Sequence, residues 1–374
     1  MKYLSQLNKK YLNGKTCLLR LDLNIQDDEL KNSLRLKRAS LTINFLLKNN
    51  VKVIILSHKG RPENVSNIEH QKSKLSLKDV SKALSDVVDK KIILFENFDF
   101  KKIKKAVNDS NDKVFMLENL RFNSGEENNS KNFAKGLSFL GDFYVNDAFA
   151  VSHRENASVC AITDFLPSYA GLELEMEIKA FEKVIKNPPK PLIIILGGAK
   201  ISDKIGVIKK FYSKISWVLT GGGVANTFFA AKNIPVGKSL YDKNSLTIAK
   251  EWSKSKKIIF PQDVKIENGE ILDIGKKTIE NYSSIIKKAK TIIWNGPMGY
   301  IENEKYQNGT VSLARAIGKS RDFSIVGGGE TTSLILKKHL EKNIKFLSIG
   351  GGAMLWYLSG KKMPGLEALD KNNF

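Results

Sequence analysis

The stretch "SIVGGGETTSL", residues 324–334, places a short apolar run directly before three consecutive glycines, an acid and two threonines. A run of this kind is typical of a buried strand, and glycine lets backbone N–H groups approach a ligand without a Cβ between them. A single glycine-rich turn is commonly structural. Here, however, four similar junctions follow apolar runs in the same half of the chain, at residues 193–204, 217–228, 292–299 and 346–355.

These five junctions predict a shared binding site at one edge of a sheet. In an open parallel sheet, ligands bind outside the carboxyl ends of the strands, and helix N-termini add partial positive charge there, which favours phosphate. The phosphate motifs GxxxxGK[ST] and GxGxxG are both absent. Instead, the spacing of Lys200 and Lys204 predicts two ammonium groups on one face of a first helical turn, where they could neutralise two phosphates of one nucleotide.

The rest of the chain alternates apolar strand-like runs with helical patterns. In the first half the runs are residues 16–24, 51–58, 91–97, 113–122 and 142–149. Helical spacing occurs between them, for example at 35–50, and the second half repeats the plan from Leu192 onward. This alternation predicts an α/β fold with two Rossmann-like, doubly wound parallel-sheet domains.

The length and one proline cluster suggest where the domains divide. A chain of 374 residues exceeds what one core usually serves. A helical pattern that ends at the prolines of 188–191 predicts an interdomain helix. We therefore expect a first domain at 1–171, an interdomain helix at 172–187, a second domain at 188–360, and a tail at 361–374 that packs back on the first domain.

The composition excludes several classes of protein. The formal charge of +22 comes mostly from lysines scattered along polar faces, whereas a nucleic-acid footprint more often gathers arginines and aromatics in one stripe. No apolar run approaches a membrane span or the core of a signal peptide. The two cysteines lie in apolar runs, which suits buried thiols in a reducing compartment. We expect a cytoplasmic protein with no membrane or nucleic-acid partner.

Two other classes of protein match the sequence less well. A nucleic-acid-binding protein is supported by net charge alone, and a nicotinamide dehydrogenase lacks both GxGxxG and the acid about 20 residues later.

Half of the chain's scarce arginines lie within a few residues of the ends of predicted strands in the first half. Guanidinium groups suit two-pronged binding of carboxylate or phosphate, so these positions favour a small polyanionic substrate. The polar residues near these strand ends are Asp22, Asn24, Arg35, His58, Arg61, Arg121, His153 and Arg154.

An ordered series of motifs then resembles the phosphoglycerate kinase family over essentially the whole chain. The motifs are "LLRLDLN", "SHKGRP", "LENLRF", "DFYVNDAF" with "HRE", "LGGAKISDKI", "LTGGGVANTF", "DIGKKTIE", "IIWNGPMG", "IVGGGETT" and "SIGGGA". The resemblance implies two domains separated by a cleft, a monomer, and reversible phosphoryl transfer from 1,3-bisphosphoglycerate to Mg-ADP, giving 3-phosphoglycerate and ATP by direct in-line transfer after hinge closure.

The resemblance also implies residue roles. The triose substrate is expected at Asp22, Asn24, Arg35, His58, Arg61, Arg121 and Arg154. Arg35 and Lys200 are expected to contact the transferred group and are the catalytic candidates. The nucleotide is expected at Gly198, Ala199, Lys200, Lys204, Asn295, Glu302, Gly328, Gly329, Glu330 and Thr331, with Glu302 at the ribose and Glu330 at Mg²⁺.

Five positions depart from the family pattern. Glu330 stands where aspartate is usual, which adds one methylene to the expected metal ligand. Because Mg²⁺ keeps waters readily, we expect activity to persist. The other departures remove none of the charged groups assigned above; they are Gln26, Asn156, Lys276 and Ile349.

Overall fold

The computed structural model describes residues 1–62, 73–320 and 322–372. The chain divides into two compact units, one comprising Met1–Glu177 with the segment from Lys362 onward, and the other comprising Ile178–Lys361. Each unit has its own parallel sheet, and the prediction of two α/β domains is confirmed.

The sheet of the first unit has the spatial order β3-β4-β2-β1-β5-β6 and all its pairs are parallel. In the described residues its strands are β1 (Thr16–Leu21), β2 (Lys52–Leu56), β3 (Ile92–Phe95), β4 (Val114–Leu117), β5 (Phe143–Asp147) and β6 (Ser168–Ala170). Its helices are α1 (Lys9–Leu12), α2 (Leu34–Lys48), α3 (Lys78–Val88), α4 (Phe100–Asp109), α5 (Ser124–Glu127) and α6 (Lys131–Ser138).

Helix α2 shows how local sequence defines these elements. The Ser33 hydroxyl accepts a hydrogen bond from the Leu36 N–H at 3.5 Å and caps the first turn. Leu36, Ile43 and Leu46 recur at helical spacing and are all buried against the sheet. Burial of each such side chain contributes about 1.5–3 kcal/mol. The helix ends before Asn50, whose φ of 57° is left-handed.

The second unit contains a parallel sheet of order β14-β13-β12-β7-β8-β9 and a separate antiparallel hairpin, β10-β11. The described strands are β7 (Leu192–Leu196), β8 (Ile215–Thr220), β9 (Ile258–Ile259), β10 (Val264–Glu267), β11 (Glu270–Ile274), β12 (Thr291–Asn295), β13 (Phe323–Gly327) and β14 (Phe346–Leu347).

One helix spans the boundary between the units, and the remaining helices belong to the second unit. The boundary lies between Glu177 and Ile178, within α7 (Leu172–Ile185). The helices that follow are α8 (Ile205–Phe211), α9 (Gly222–Ala231), α10 (Leu246–Trp252), α11 (Lys276–Ile286), α12 (Asn308–Lys319), α13 (Gly329–Lys337) and α14 (Gly352–Leu358).

The C-terminal segment contacts the first unit. It forms α15 (Pro364–Lys371). The Gly365 N–H donates to the Ser152 carbonyl at 2.9 Å, and Asp370 lies 2.6 Å from the N-terminal ammonium of Met1.

The described residues contain no helix that is both long and apolar enough to span a bilayer. Cys17 is buried, Cys160 is half-buried, and both are free thiols.

Candidate active site

Polar side chains in the first unit meet where the central strands end. Asp22 directly follows β1, His58 follows β2, and Arg121 follows β4, and these strands are neighbours in the sheet. Because the strands are parallel, their carboxyl ends lie at the same edge.

A cluster of positive charge surrounds His58. The pKa of this buried imidazole is held well below its ordinary value, mainly by burial and then by the charges of four arginines, namely Arg20, Arg121, Arg154 and Arg35. His58 is therefore neutral at pH 7. The structure thus brings together three of the predicted arginines around one neutral imidazole, an arrangement that favours an anionic ligand.

Arg121 is a largely buried member of this cluster. Its side chain is 6% exposed, and it donates to the Gly60 carbonyl. Burial, and after it the charge of the nearby Arg154, lowers its pKa to about 10, but the guanidinium stays charged at neutral pH.

The Glu127 carboxylate shows what these arginines can bind. It lies 3.3 Å from Arg121 Nε and 3.5 Å from Arg61 Nε. Arg61 is the outer member, with 69% of its side chain exposed. Two guanidinium groups already converge on one carboxylate here, so a ligand carboxylate or phosphate fits the same geometry.

Asp22 and Arg35 form an ion pair at the edge of this cluster. Asp22 Oδ1 also accepts the Asn24 N–H at 3.3 Å, and Asn24 Oδ1 accepts the Gly60 N–H at 2.8 Å. Burial lowers the pKa of Arg35 to about 10, and the carboxylates of Glu177 and Glu173 oppose that shift.

Sequence reasoning missed a buried network beneath the cluster. Arg20 Nε donates to Ser158 Oγ at 2.8 Å, and Ser158 Oγ donates to Glu126 Oε1 at 2.6 Å. Arg20 Nη2 lies 3.3 Å from His58 Nδ1. A guanidinium can only donate, so Nδ1 is the acceptor and Nε2 carries the proton. The signal was an arginine inside the apolar strand "TCLLRL".

In the second unit the structure corrects one prediction about the lysines. Lys200 and Lys204 do not share a helical turn, because α8 begins at Ile205. Gly198 has a φ of 75°, and the Lys204 N–H donates to the Ile201 carbonyl at 2.9 Å, so the segment turns before the helix begins.

The two lysines therefore have different surroundings. Lys200 is exposed, whereas Lys204 is 6% exposed and its Nζ donates to the Lys200 carbonyl at 3.1 Å. Burial lowers the pKa of Lys204, and the charges of Asp203 and Glu330 oppose this. Lys204 thus lies near the first turn of α13.

A cavity of about 550 Å³ lies at the carboxyl edge of the second sheet. Four predicted nucleotide residues line it: Gly198, Ala199, Glu302 and Glu330. Asn295 ends β12 and is buried, Gly328 precedes α13 with a φ of 105°, and the first turn of α13 contains Gly329 and the buried Thr331. Other lining residues were not predicted, among them Asn226, Leu240, Ile271, Leu272 and Tyr300.

The glycines at this edge have two different uses. A Cβ on Gly197 would lie 2.0 Å from the Pro297 carbonyl oxygen, whereas a Cβ on Gly329 would meet nothing within 4 Å. Gly197 therefore allows two strand-end loops to pack together, while Gly329 leaves open space beside backbone N–H groups.

No group of three or more histidine, cysteine or acidic side chains is placed to hold a metal in the part of the chain that the structure describes. The exposed carboxylate of Glu330 lies in the first turn of α13.

Comparisons with known proteins show one family. The family model for phosphoglycerate kinase matches residues 7–361. The phosphoglycerate kinase of Wolbachia sp. subsp. Drosophila simulans is 40% identical, covering 96% of this chain and 97% of the relative. That of Borrelia garinii subsp. bavariensis is 37% identical, covering 96% and 97%.

Two solved structures are also similar. Phosphoglycerate kinase from Coxiella burnetii superimposes with a TM-score of 0.81 at 32% identity, covering 100% of this chain and 99% of the other. The Pyrococcus horikoshii OT3 enzyme gives 0.87 at 31% identity, covering 99% and 98%.

Proposed function

Since this chain belongs to the phosphoglycerate kinase family and its reaction is phosphoryl transfer between 1,3-bisphosphoglycerate and ADP, we propose that its first unit binds the triose and its second unit binds the nucleotide. The observation that carries this division is the cluster of arginines around neutral His58 in the first unit.

The first-unit site suits a phosphorylated hydroxy acid. Arg61, Arg121, Arg154 and the Nε2–H of His58 bind the substrate phosphate and carboxylate. Asp22 and Asn24 hold the remaining polar groups, and Asp22 also orients Arg35 through their ion pair. Substrate binding displaces Glu127 from the arginines, because both compete for the same guanidinium groups.

The second-unit cavity suits a nucleotide. Its volume of about 550 Å³ lies within the range of small-molecule sites. Lys204 and the open backbone at Gly329 bind the outer phosphates, the Gly198–Ala199 turn approaches them, and Glu302 holds the ribose. Asn295 and Thr331 are buried, and we assign them to holding the loops that contact the nucleotide rather than to contacting its outer phosphates.

Glu330 fits a Mg²⁺ ion delivered with the nucleotide. Mg²⁺ is commonly held by one or two carboxylates together with substrate phosphates and waters, and Glu330 supplies one exposed carboxylate beside the phosphate positions. When bound, the ion supplies charge neutralisation for the phosphates. The longer side chain of glutamate places the carboxylate one methylene further from the backbone than aspartate does.

The transfer step needs no covalent enzyme intermediate. Phosphoryl transfer depends chiefly on positioning and on stabilising charge over three equatorial oxygens. Arg35 and Lys200 supply that charge from the protein. Since donor and acceptor are assigned to separate units, in-line transfer requires a closure that brings the ligands together and excludes water. We further propose a cytoplasmic monomer that acts without a nucleic-acid or membrane partner.

Calorimetric titration tests the division of ligands. Arg121→Ala should weaken 3-phosphoglycerate binding at least about tenfold, because a buried bidentate partner is lost, while ADP binding stays unchanged. Arg315→Ala, an exposed arginine on α12, serves as the matched control and should alter neither. Loss of ADP binding in Arg121→Ala, or unchanged 3-phosphoglycerate binding, would contradict the proposal.

A further inference from the structure

Three buried carboxylates have no role above, and two of them, Glu173 and Glu177, stabilise the charged form of Arg35. Asp147 ends β5, whereas Glu173 and Glu177 lie on α7, and these residues are 3%, 2% and 0% exposed as a whole. Buried carboxylates are costly unless they are paired, so their surroundings call for an explanation.

Arg38 is the direct partner of Glu173. Its Nη1 lies 3.1 Å from Glu173 Oε2, and the two side chains are 18% and 3% exposed. The same nitrogen donates to Met176 Sδ at 3.5 Å. This pair ties α2 to the first turn of α7.

Arg35 is also influenced by the carboxylates of α7. It precedes Arg38 by three residues on α2, so both side chains lie on the same side of the helix. Glu177 and Glu173 both stabilise the charged form of Arg35, while Asp22 pairs with it from the end of β1. The charged form of Arg35 is thus stabilised by Asp22 from the end of β1 and by two carboxylates of α7.

We propose that Glu173, fixed by Arg38, is a positioning residue that holds Arg35 in its catalytic orientation. This proposal rests on the function proposed above, in which Arg35 contacts the transferred phosphoryl group.

The geometry gives Glu173 the capacity for this role. Its Oε1 accepts no hydrogen bond from any of the described residues, so it retains an acceptor for a second cation. If Glu173 were neutral, Arg35 would lose one of the two α7 carboxylates that stabilise its charged form, and its guanidinium would no longer be fixed in one orientation.

The protonation of Glu173 makes the role measurable. Burial raises its pKa to about 7, with Arg38 and Arg35 from α2 opposing the shift and Asp147 from β5 adding to it. Glu177 is the other carboxylate on α7 that faces Arg35. Because the pKa is raised, Glu173 is charged above about pH 7 and becomes neutral as the pH falls below it.

Glu173→Gln is the first test, and steady-state kinetics across pH 5.5–9 is the measurement. We expect kcat to fall about tenfold at pH 8 with the KM for ATP unchanged, and the fall of wild-type kcat on acidification through about pH 7 to be absent from the variant. Glu175→Gln is the matched control, because Glu175 lies on the same helical turn but accepts a hydrogen bond from Ser5 Oγ at 2.7 Å. This variant should keep the wild-type kcat and the wild-type dependence of kcat on pH. A wild-type kcat or an unchanged acid limb in Glu173→Gln would overturn the proposal.

A second variant guards against misfolding. Arg38→Met with Glu173→Leu removes both charges, and replacing a buried ion pair by apolar residues is often neutral for stability. We expect a folded enzyme with the same loss of kcat, and partial recovery of kcat in Glu173→Asp. Reduced stability with wild-type kcat would refute the positioning role.

The Arg35→Ala variant separates the two proposals. If Arg35→Ala keeps wild-type turnover, the proposed function of Arg35 fails. If Arg35→Ala loses turnover while the Glu173 variants do not, only the positioning proposal is wrong.

Discussion

At the residue scale, Arg20 and His58 show how a buried charge can define a binding group. Arg20 is 1% exposed and lies in β1, one of the two central strands of the first sheet. Its contact with His58 Nδ1 leaves the Nε2–H as the donor. The neutral imidazole can then donate to an anion without adding a further positive charge to a crowded cluster.

Arg35 offers the sharpest test of chemistry at this scale. By analogy with arginine fingers, Arg35→Ala should lower kcat by roughly 10³ or more, because the guanidinium stabilises charge that develops during transfer. Nucleotide affinity should change little, since the nucleotide is assigned to the other unit. Turnover that survives within about tenfold of wild type would show that Arg35 is not a catalytic residue.

At the element scale, the glycines of the second sheet separate into two experimental classes. Gly329→Ala places a methyl in open space, so stability should be retained while ADP binding weakens about tenfold where the methyl replaces phosphate. Gly197→Ala instead forces a Cβ against the Pro297 carbonyl and should cost about 1–3 kcal/mol of stability or more. Thermal unfolding and ADP titration of both variants measure this. Equal effects of the two variants on stability would contradict the distinction.

The start of α7 depends on Asp147, whose Oδ1 accepts the Leu174 N–H at 3.0 Å. Burial raises the pKa of Asp147 to about 6 from 3.8. The folded state therefore favours the protonated acid, and this contribution to stability is present below about pH 4 and is lost as the pH rises through about 6.

Asp147→Asn removes that titration. The free energy of unfolding of the variant minus that of wild type should be about 1–3 kcal/mol higher at pH 8 than at pH 4. Urea denaturation at the two pH values measures the change, and any constant cost of the amide cancels in the comparison. A difference between variant and wild type that is independent of pH would rule out a titrating Asp147.

The element scale also shows where sequence reasoning ends. Long apolar runs such as Leu192–Leu196 were recognisable, whereas β9 and β14 contain two residues each and carry no periodicity. The Asn268–Gly269 turn between β10 and β11 has positive φ at both positions. An Asn-Gly pair is typical of a β-hairpin turn, but the sequence analysis did not predict this hairpin. The prediction that Lys200 and Lys204 share a helical turn was wrong, because the Lys204 N–H bonds to the Ile201 carbonyl in a turn before α8 begins.

At the scale of the whole molecule, the family motifs predicted the reaction but not the electrostatic balance of the site. The arginines at strand ends were visible in the sequence. Glu127, which pairs with two of them, and Glu173 behind Arg35 were not identified, because ion pairs between distant segments leave no local pattern. The arginines provide the positive charge of the site, and the carboxylates of Glu127 and Glu173 partly balance it.

The net charge of +22 is a property of the whole molecule and predicts that substrate capture depends on salt. Scattered lysines attract anionic substrates over distances set by the Debye length, about 10 Å at 0.1 M salt and about 3 Å at 1 M. The KM for 3-phosphoglycerate should therefore rise several-fold between about 0.05 M and 0.5 M KCl, with a much smaller change in kcat. Steady-state kinetics in KCl, with sucrose at equal osmolality as the control, measures this. A KM that stays constant in KCl would mean that the surface lysines contribute nothing to capture and that binding depends on the buried arginines at short range.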